Sequence, residues 1–97
     1  MLKDQTPNQL ANSRLVIADE YGKLGERKVE LLKIRSVYYQ SFREDVKSDA
    51  ALERRWETTL EGMELLEIRE KMKSKEFKMS AIKSMLDTKN FESRNQY

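Results

Sequence analysis

The sequence predicts an all-α protein, a long antiparallel two-helix hairpin of coiled-coil type. Three observations carry that prediction. One proline and three glycines in 97 residues leave few places for turns. Apolar residues recur at intervals of seven along both halves of the chain. The two apolar rows also face one another when the chain is folded near its middle. Hydrophobic residues make up 38% of the chain and charged residues 37%, which suits a narrow apolar seam better than a thick core. Regular apolar spacing and a net charge of only +2 argue against disorder. Residues 1–97 are read as one domain.

The first helix is expected over residues 7–46. Thr6-Pro7-Asn8-Gln9 is a strong start, with Thr6 as cap, Pro7 at the first helical position and Gln9 closing a capping box. Its seam is Leu10, Ile17, Leu24, Leu31 and Tyr38, flanked by Ala11, Ala18, Gly25, Leu32, Tyr39 and Val46. Gly22 and Gly25 each cost about 1 kcal/mol relative to alanine, and a break there would give three helices. The seam stays in phase across them, so a continuous helix is expected. Small residues Ala18, Gly22 and Gly25 offer the alternative of close approach by another helix.

A turn is expected at 47–49, where Ser48 or Asp49 can cap a second helix over 49–92. The second seam is Leu65, Met72, Met79 and Leu86, flanked by Ile68 and Ile82. Such sustained spacing is the mark of coiled-coil packing. Each helix would run about 60 Å at the usual rise per residue. Folding at the turn pairs Leu10 with Leu86, Ile17 with Met79, Leu24 with Met72 and Leu31 with Leu65. Trp56 then falls beside Tyr38, Tyr39 and Phe42 as an aromatic cluster. Apolar spacing loosens at Lys73-Ser74-Lys75, a second weak point. Val16, Val29, Val37, Leu52, Leu60, Met63, Leu66 and Phe77 lie off the seam. Two hairpins pairing into a four-helix bundle would cover such residues, so a homodimer is expected; a monomer with scattered exposed apolar residues is the alternative.

Charge is unevenly laid out. Residues 1–48 hold nine basic and seven acidic side chains, net +2; residues 49–70 hold three and seven, net −4; residues 71–97 hold seven and three, net +4. Three readings fit this polarity. Lysines toward a helix C-terminus complement its dipole. An antiparallel dimer could set basic halves beside acidic ones. Alternatively Lys71, Lys73, Lys75, Lys78, Lys83 and Lys89 contact nucleic acid, which needs only clustered cations, although +2 overall is low for a dedicated DNA binder.

The chain contains no cysteine and no histidine. This removes disulfides, thiol nucleophiles, the commonest transition-metal ligand and the usual general acid–base near neutral pH. Glu53, Glu57 and Glu61 lie one helical turn apart, but the carboxylate-bridged metal sites of bundles need a Glu-x-x-His element. Gly22-Lys23-Leu24-Gly25 lacks the spacing of a phosphate loop, and the serines have no histidine to activate them. Trp56 and the tyrosines could stack on bases, yet their helical spacing beside the turn suits a core. No catalytic, cofactor or metal site is expected, and no small-molecule substrate. No apolar run approaches the roughly 20 residues that cross a bilayer, and Met1-Leu2-Lys3-Asp4-Gln5 has no secretory apolar core. A cytoplasmic protein that does not enter the membrane is expected.

Two stretches carry a resemblance. Ser48-Asp49-Ala50-Ala51-Leu52-Glu53-Arg54-Arg55-Trp56-Glu57-Thr58-Thr59-Leu60-Glu61-Gly62 is one; the other is Met79-Ser80-Ala81-Ile82-Lys83-Ser84 followed by Glu92-Ser93-Arg94-Asn95-Gln96-Tyr97. They resemble small uncharacterised helical proteins of bacteriophage and prophage early regions, over about half the chain and without a catalytic signature. The resemblance implies a bacterial host cell and a role near DNA replication, recombination or host takeover. It transfers no functional residue. The expected function is a non-enzymatic helical interaction protein binding a protein partner; direct nucleic-acid binding and a virion or scaffold role are the alternatives.

Overall fold

A computed structural model describes residues 6–95, with side chains described for residues 6–89. All regular structure among the described residues is helical: α1 is Pro7–Phe42, α2 is Asp49–Glu57 and α3 is Leu60–Asn95. The long pair α1 and α3 pack against each other as an all-α hairpin. The capping box forms as expected. The Thr6 amide donates to Gln9 Oε1 at 2.9 Å, and the Gln9 amide donates to Thr6 Oγ1 at 3.2 Å. α1 runs unbroken through Gly22 and Gly25, and α3 runs unbroken through Lys73-Ser74-Lys75.

Besides α3 running on to Asn95 where 92 is expected, two boundaries differ from the sequence expectation. The first helix stops at Phe42, four residues before the expected 46. Glu44 and Asp45 would set negative charge against the negative end of the helix dipole, and the last turn of α1 carries no basic residue to offset it. Arg43 instead reaches across the connection, donating to the Lys47 carbonyl at 3.4 Å and to Asp49 Oδ1 at 2.6 Å. Ser48 is the cap of α2, its side chain accepting from the Ala51 amide at 3.4 Å.

The second difference is larger: the expected helix over 49–92 is two helices, broken at Thr58-Thr59. Threonine hydroxyls compete with the helical ladder and favour caps. Thr58 Oγ1 donates to the Arg55 carbonyl at 2.7 Å, and Thr59 Oγ1 donates to the Trp56 carbonyl at 2.6 Å. The same Thr59 oxygen accepts from the Gly62 amide at 3.0 Å, which makes it the cap of α3. Glu61 sits in the first turn of α3, where its charge suits the dipole. Gly62 is buried at this corner, and a Cβ there would collide with the Trp56 carbonyl group.

The chain divides into two compact units, residues 23–72 and residues 1–22 with 73–97. The divisions fall beside Gly22, where helix propensity is low, and at Lys73, where the apolar spacing loosens. In residues 23–72, Leu31, Trp56, Leu65 and Ile68 form a buried cluster, with Leu24, Leu32, Tyr38, Tyr39 and Met72 packed against it. Leu52 is also fully buried, although on a straight second helix it would lie off the seam. The corner turns the Leu52 and Trp56 face of α2 inward, and each such side chain contributes about 1.5–3 kcal/mol of burial.

In the other unit Leu10 and Ile82 are buried, while Ile17, Tyr21, Met79 and Leu86 are half-buried. Tyr21 donates to Glu76 Oε1 at 2.6 Å, and Lys75 pairs with Glu20. These pairs follow the register expected from folding the sequence at its middle.

Candidate functional site

Residues 23–72 carry an open groove of about 550 Å³ lined by Lys33, Ile34, Val37, Tyr38, Ser41, Phe42, Trp56, Thr59 and Glu61. The spacing of Ile34, Val37, Tyr38 and Ser41 puts them along one face of α1. The corner brings Trp56 and Thr59 beneath and beside that face, and Glu61 follows in the first turn of α3. Trp56 is only 1% exposed and forms floor, whereas Val37 is 63% and Ile34 40% exposed. Leu60, at the start of α3, is 80% exposed.

The floor is held by ring contacts. Tyr38 lies 4.7 Å from Phe42 and 5.5 Å from Trp56 between ring centroids, both tilted, a geometry favourable to aromatic pairs. The Arg55 guanidinium sits 4.2 Å over the Phe42 ring, a cation–π contact. Three of the four aromatic residues grouped by the sequence thus meet through their rings.

Tyr39 has a different role. Its hydroxyl donates to Glu53 and accepts from Arg35 at 3.0 Å, while Arg35 Nε donates to Glu53 at 3.1 Å. This ties α1 to α2. The Tyr39 hydrogen bond, aided by Arg35, holds the Glu53 carboxyl below the usual carboxylate range despite partial burial. Burial and the bond to Glu53 push the Tyr39 phenol up. Burial opposes the charge on Arg35, but its bonds to Glu53 and Tyr39 prevail and raise its pKa. On α3, Glu64 takes a two-pronged contact from Arg27 at 2.7 and 2.8 Å, which lowers the Glu64 pKa.

No protein-family model, curated protein or solved structure matches the chain.

The six lysines weighed for nucleic acid are differently employed. Lys71 pairs with Glu67 at 3.3 Å within residues 23–72. In the other unit Lys75 pairs with Glu20, Lys78 and Lys83 are exposed and Lys89 is half-buried; Lys73 there is exposed and also makes a polar interaction. Of the seam residues, Leu10, Leu31 and Leu65 are buried, and Ile17, Leu24, Met72, Met79 and Leu86 are half-buried. Among the described residues no group of three acidic side chains could hold a metal ion, and no helix is long and apolar enough to cross a membrane.

The groove residues Lys33, Ile34, Ser41, Thr59 and Glu61 do not belong to either seven-residue row. Two signals for them were present in the sequence. Ile34, Val37 and Ser41 repeat at helical spacing, and Thr59-x-x-Gly62 combines a capping side chain with the one residue that lacks a Cβ.

Proposed function

We propose that the chain is a non-enzymatic helical interaction protein that docks a partner in the groove of residues 23–72. The observation that carries this reading is the juxtaposition of an apolar, buried aromatic floor with exposed Ile34 and Val37 walls. Apolar grooves framed by a few polar groups are a common way to receive an amphipathic helix, and exposed apolar patches rimmed by polar residues mark interaction sites. The absence of histidine and cysteine from the sequence supports binding over catalysis. The phage and prophage resemblance supplies a setting for that docking, DNA replication, recombination or host takeover in a bacterial cytoplasm.

A photo-crosslinking side chain at Val37 tests the reading in the cells that express the protein. A discrete adduct of defined mass is expected from Val37 and not from Ser36, which is exposed but does not line the groove. Equal labelling from both positions, or no adduct at Val37, would sink the proposal.

A further inference from the structure

We infer that the occupant of this groove is a second copy of the chain, seated about a two-fold axis running along the groove. The inference rests on the reading of the groove as a docking site and adds the identity of what docks there. Its basis is the opposite charge of the two walls. Lys33 stands on the α1 wall and Glu61 on the α3 wall, and both are exposed. Behind them Arg27 pairs with Glu64, Arg35 with Glu53 and Lys71 with Glu67 within the chain, whereas Lys33 and Glu61 are the charged residues that line the groove.

A two-fold axis along the groove exchanges the walls, so each α1 lies against α3 of the partner subunit. Lys33 then faces Glu61 of the partner subunit, and the symmetry makes that contact twice. Because α1 and α3 run antiparallel, every neighbouring pair in the resulting four-helix arrangement is also antiparallel, which aligns helix dipoles favourably. Ile34 and Val37 meet the start of the opposite α3, where Leu60 is exposed. An axis across the groove would instead set like walls together, Lys33 toward Lys33, and like-charge contacts are costly. An unrelated partner would need its own matching polarity; a second copy supplies it by symmetry.

The test uses two charge reversals on the full chain, Lys33→Glu and Glu61→Lys, with mass measured by sedimentation at matched concentrations. The wild-type chain is expected to be dimeric at high micromolar concentration. Each variant alone places two like-charge contacts in the interface and should dissociate about tenfold or more readily. An equimolar mixture should recover the dimer. In the mixed pair the new acid at position 33 of one variant faces the new base at position 61 of the other. The wild-type Lys33–Glu61 contact survives on the opposite side. A contact made within one chain could not be rescued by mixing. Helical circular dichroism checks that both variants fold, and Val37→Arg gives an independent dissociating change on the same wall.

Variants as dimeric as wild type, or a mixture that stays monomeric, would overturn the inference. So would a monomeric wild-type chain. If that monomer still gives a discrete Val37 adduct with another protein, the docking reading stands and only the second copy is lost. If Val37 gives no adduct at all, both fall.

Discussion

Residues 23–72 and the unit formed by residues 1–22 with 73–97 share the same pair of long helices but solve burial differently. The first has three helical segments, so a large aromatic side chain can be enclosed: Trp56, Leu52, Leu31, Leu65 and Ile68 are all buried. Among its described residues the second has two, and two helices meet along a line. Within its described side chains Leu10 and Ile82 are buried; both units leave large apolar side chains exposed, Phe77 to 78% here and Leu60 to 80% in residues 23–72. Polar ties follow the same division. Arg35, Tyr39 and Glu53 form a three-member network in residues 23–72, whereas Tyr21–Glu76 and Glu20–Lys75 bridge the other unit as separate pairs at its exposed edge. A hairpin gains a closed core where a corner sets a third helical segment against the pair.

Breaking the closed core should have the largest effect. Trp56→Ala is expected to cost about 3–5 kcal/mol, a large share of the stability of a small domain. Chemical denaturation monitored by circular dichroism would measure it; a loss below about 1 kcal/mol would mean that the Trp56 cluster does not anchor residues 23–72. Ile82→Ala, in the two-helix region, should cost about 2 kcal/mol, the low end for such truncations. Hydrogen exchange should then quicken around Leu10 and Ile82 while the amides about Leu31 and Leu65 stay protected. Uniform acceleration across both regions would erase the distinction drawn between them.

The glycines sharpen the same comparison, because alanine should act in opposite directions. Gly62→Ala gains helix propensity, yet its Cβ would strike the Trp56 carbonyl group. Backbone must shift, and overpacking of this kind costs about 1–3 kcal/mol, so net destabilisation is expected in thermal melts. Tyr39→Phe should cost about 1 kcal/mol at neutral pH, by loss of one hydrogen bond to a charged group that is only partly buried.

That variant also has a pH signature. The folded Glu53 pKa lies below its unfolded value, so the stabilisation is complete above the ordinary carboxylate range and is lost as pH falls through the depressed folded value. Removing the Tyr39 bond, the largest cause of the depression, should make the acid limb shallower. Wild type and variant should therefore converge at acid pH; a constant gap would contradict the linkage. The smallest effect is expected at Gly22, where nothing lies within 4 Å of an added Cβ. Gly22→Ala should stabilise by up to about 1 kcal/mol, visible as a raised melting temperature.

Much of the hairpin was legible because helices announce themselves locally. Thr6 and Gln9 form the capping box that their spacing requires, Ser48 caps α2, and the seam rows bury Leu10, Leu31 and Leu65. The groove was less legible. It depends on Thr59 leaving the helical ladder to bond the Trp56 carbonyl and cap Gly62, and a seven-residue repeat is blind to such a corner. The repeat also assigned Leu52 to the outside, since it assumed one straight helix through Thr58-Thr59. Tyr39 was grouped with its aromatic neighbours by position alone, whereas its hydroxyl finds a charged partner in Glu53.

The sequence by itself determined the all-helical class, the two long antiparallel elements, their register and the absence of cysteine and histidine. Each of these rests on residue types or on periodicities that act within a few turns of helix. Tertiary structure decided which part of the hairpin closes. Whether Leu52 and Trp56 turn inward depends on a backbone corner between α2 and α3, and that corner exists because the Trp56 carbonyl, Thr59 hydroxyl and Gly62 Cα fit together in space. The groove is the consequence of that fit.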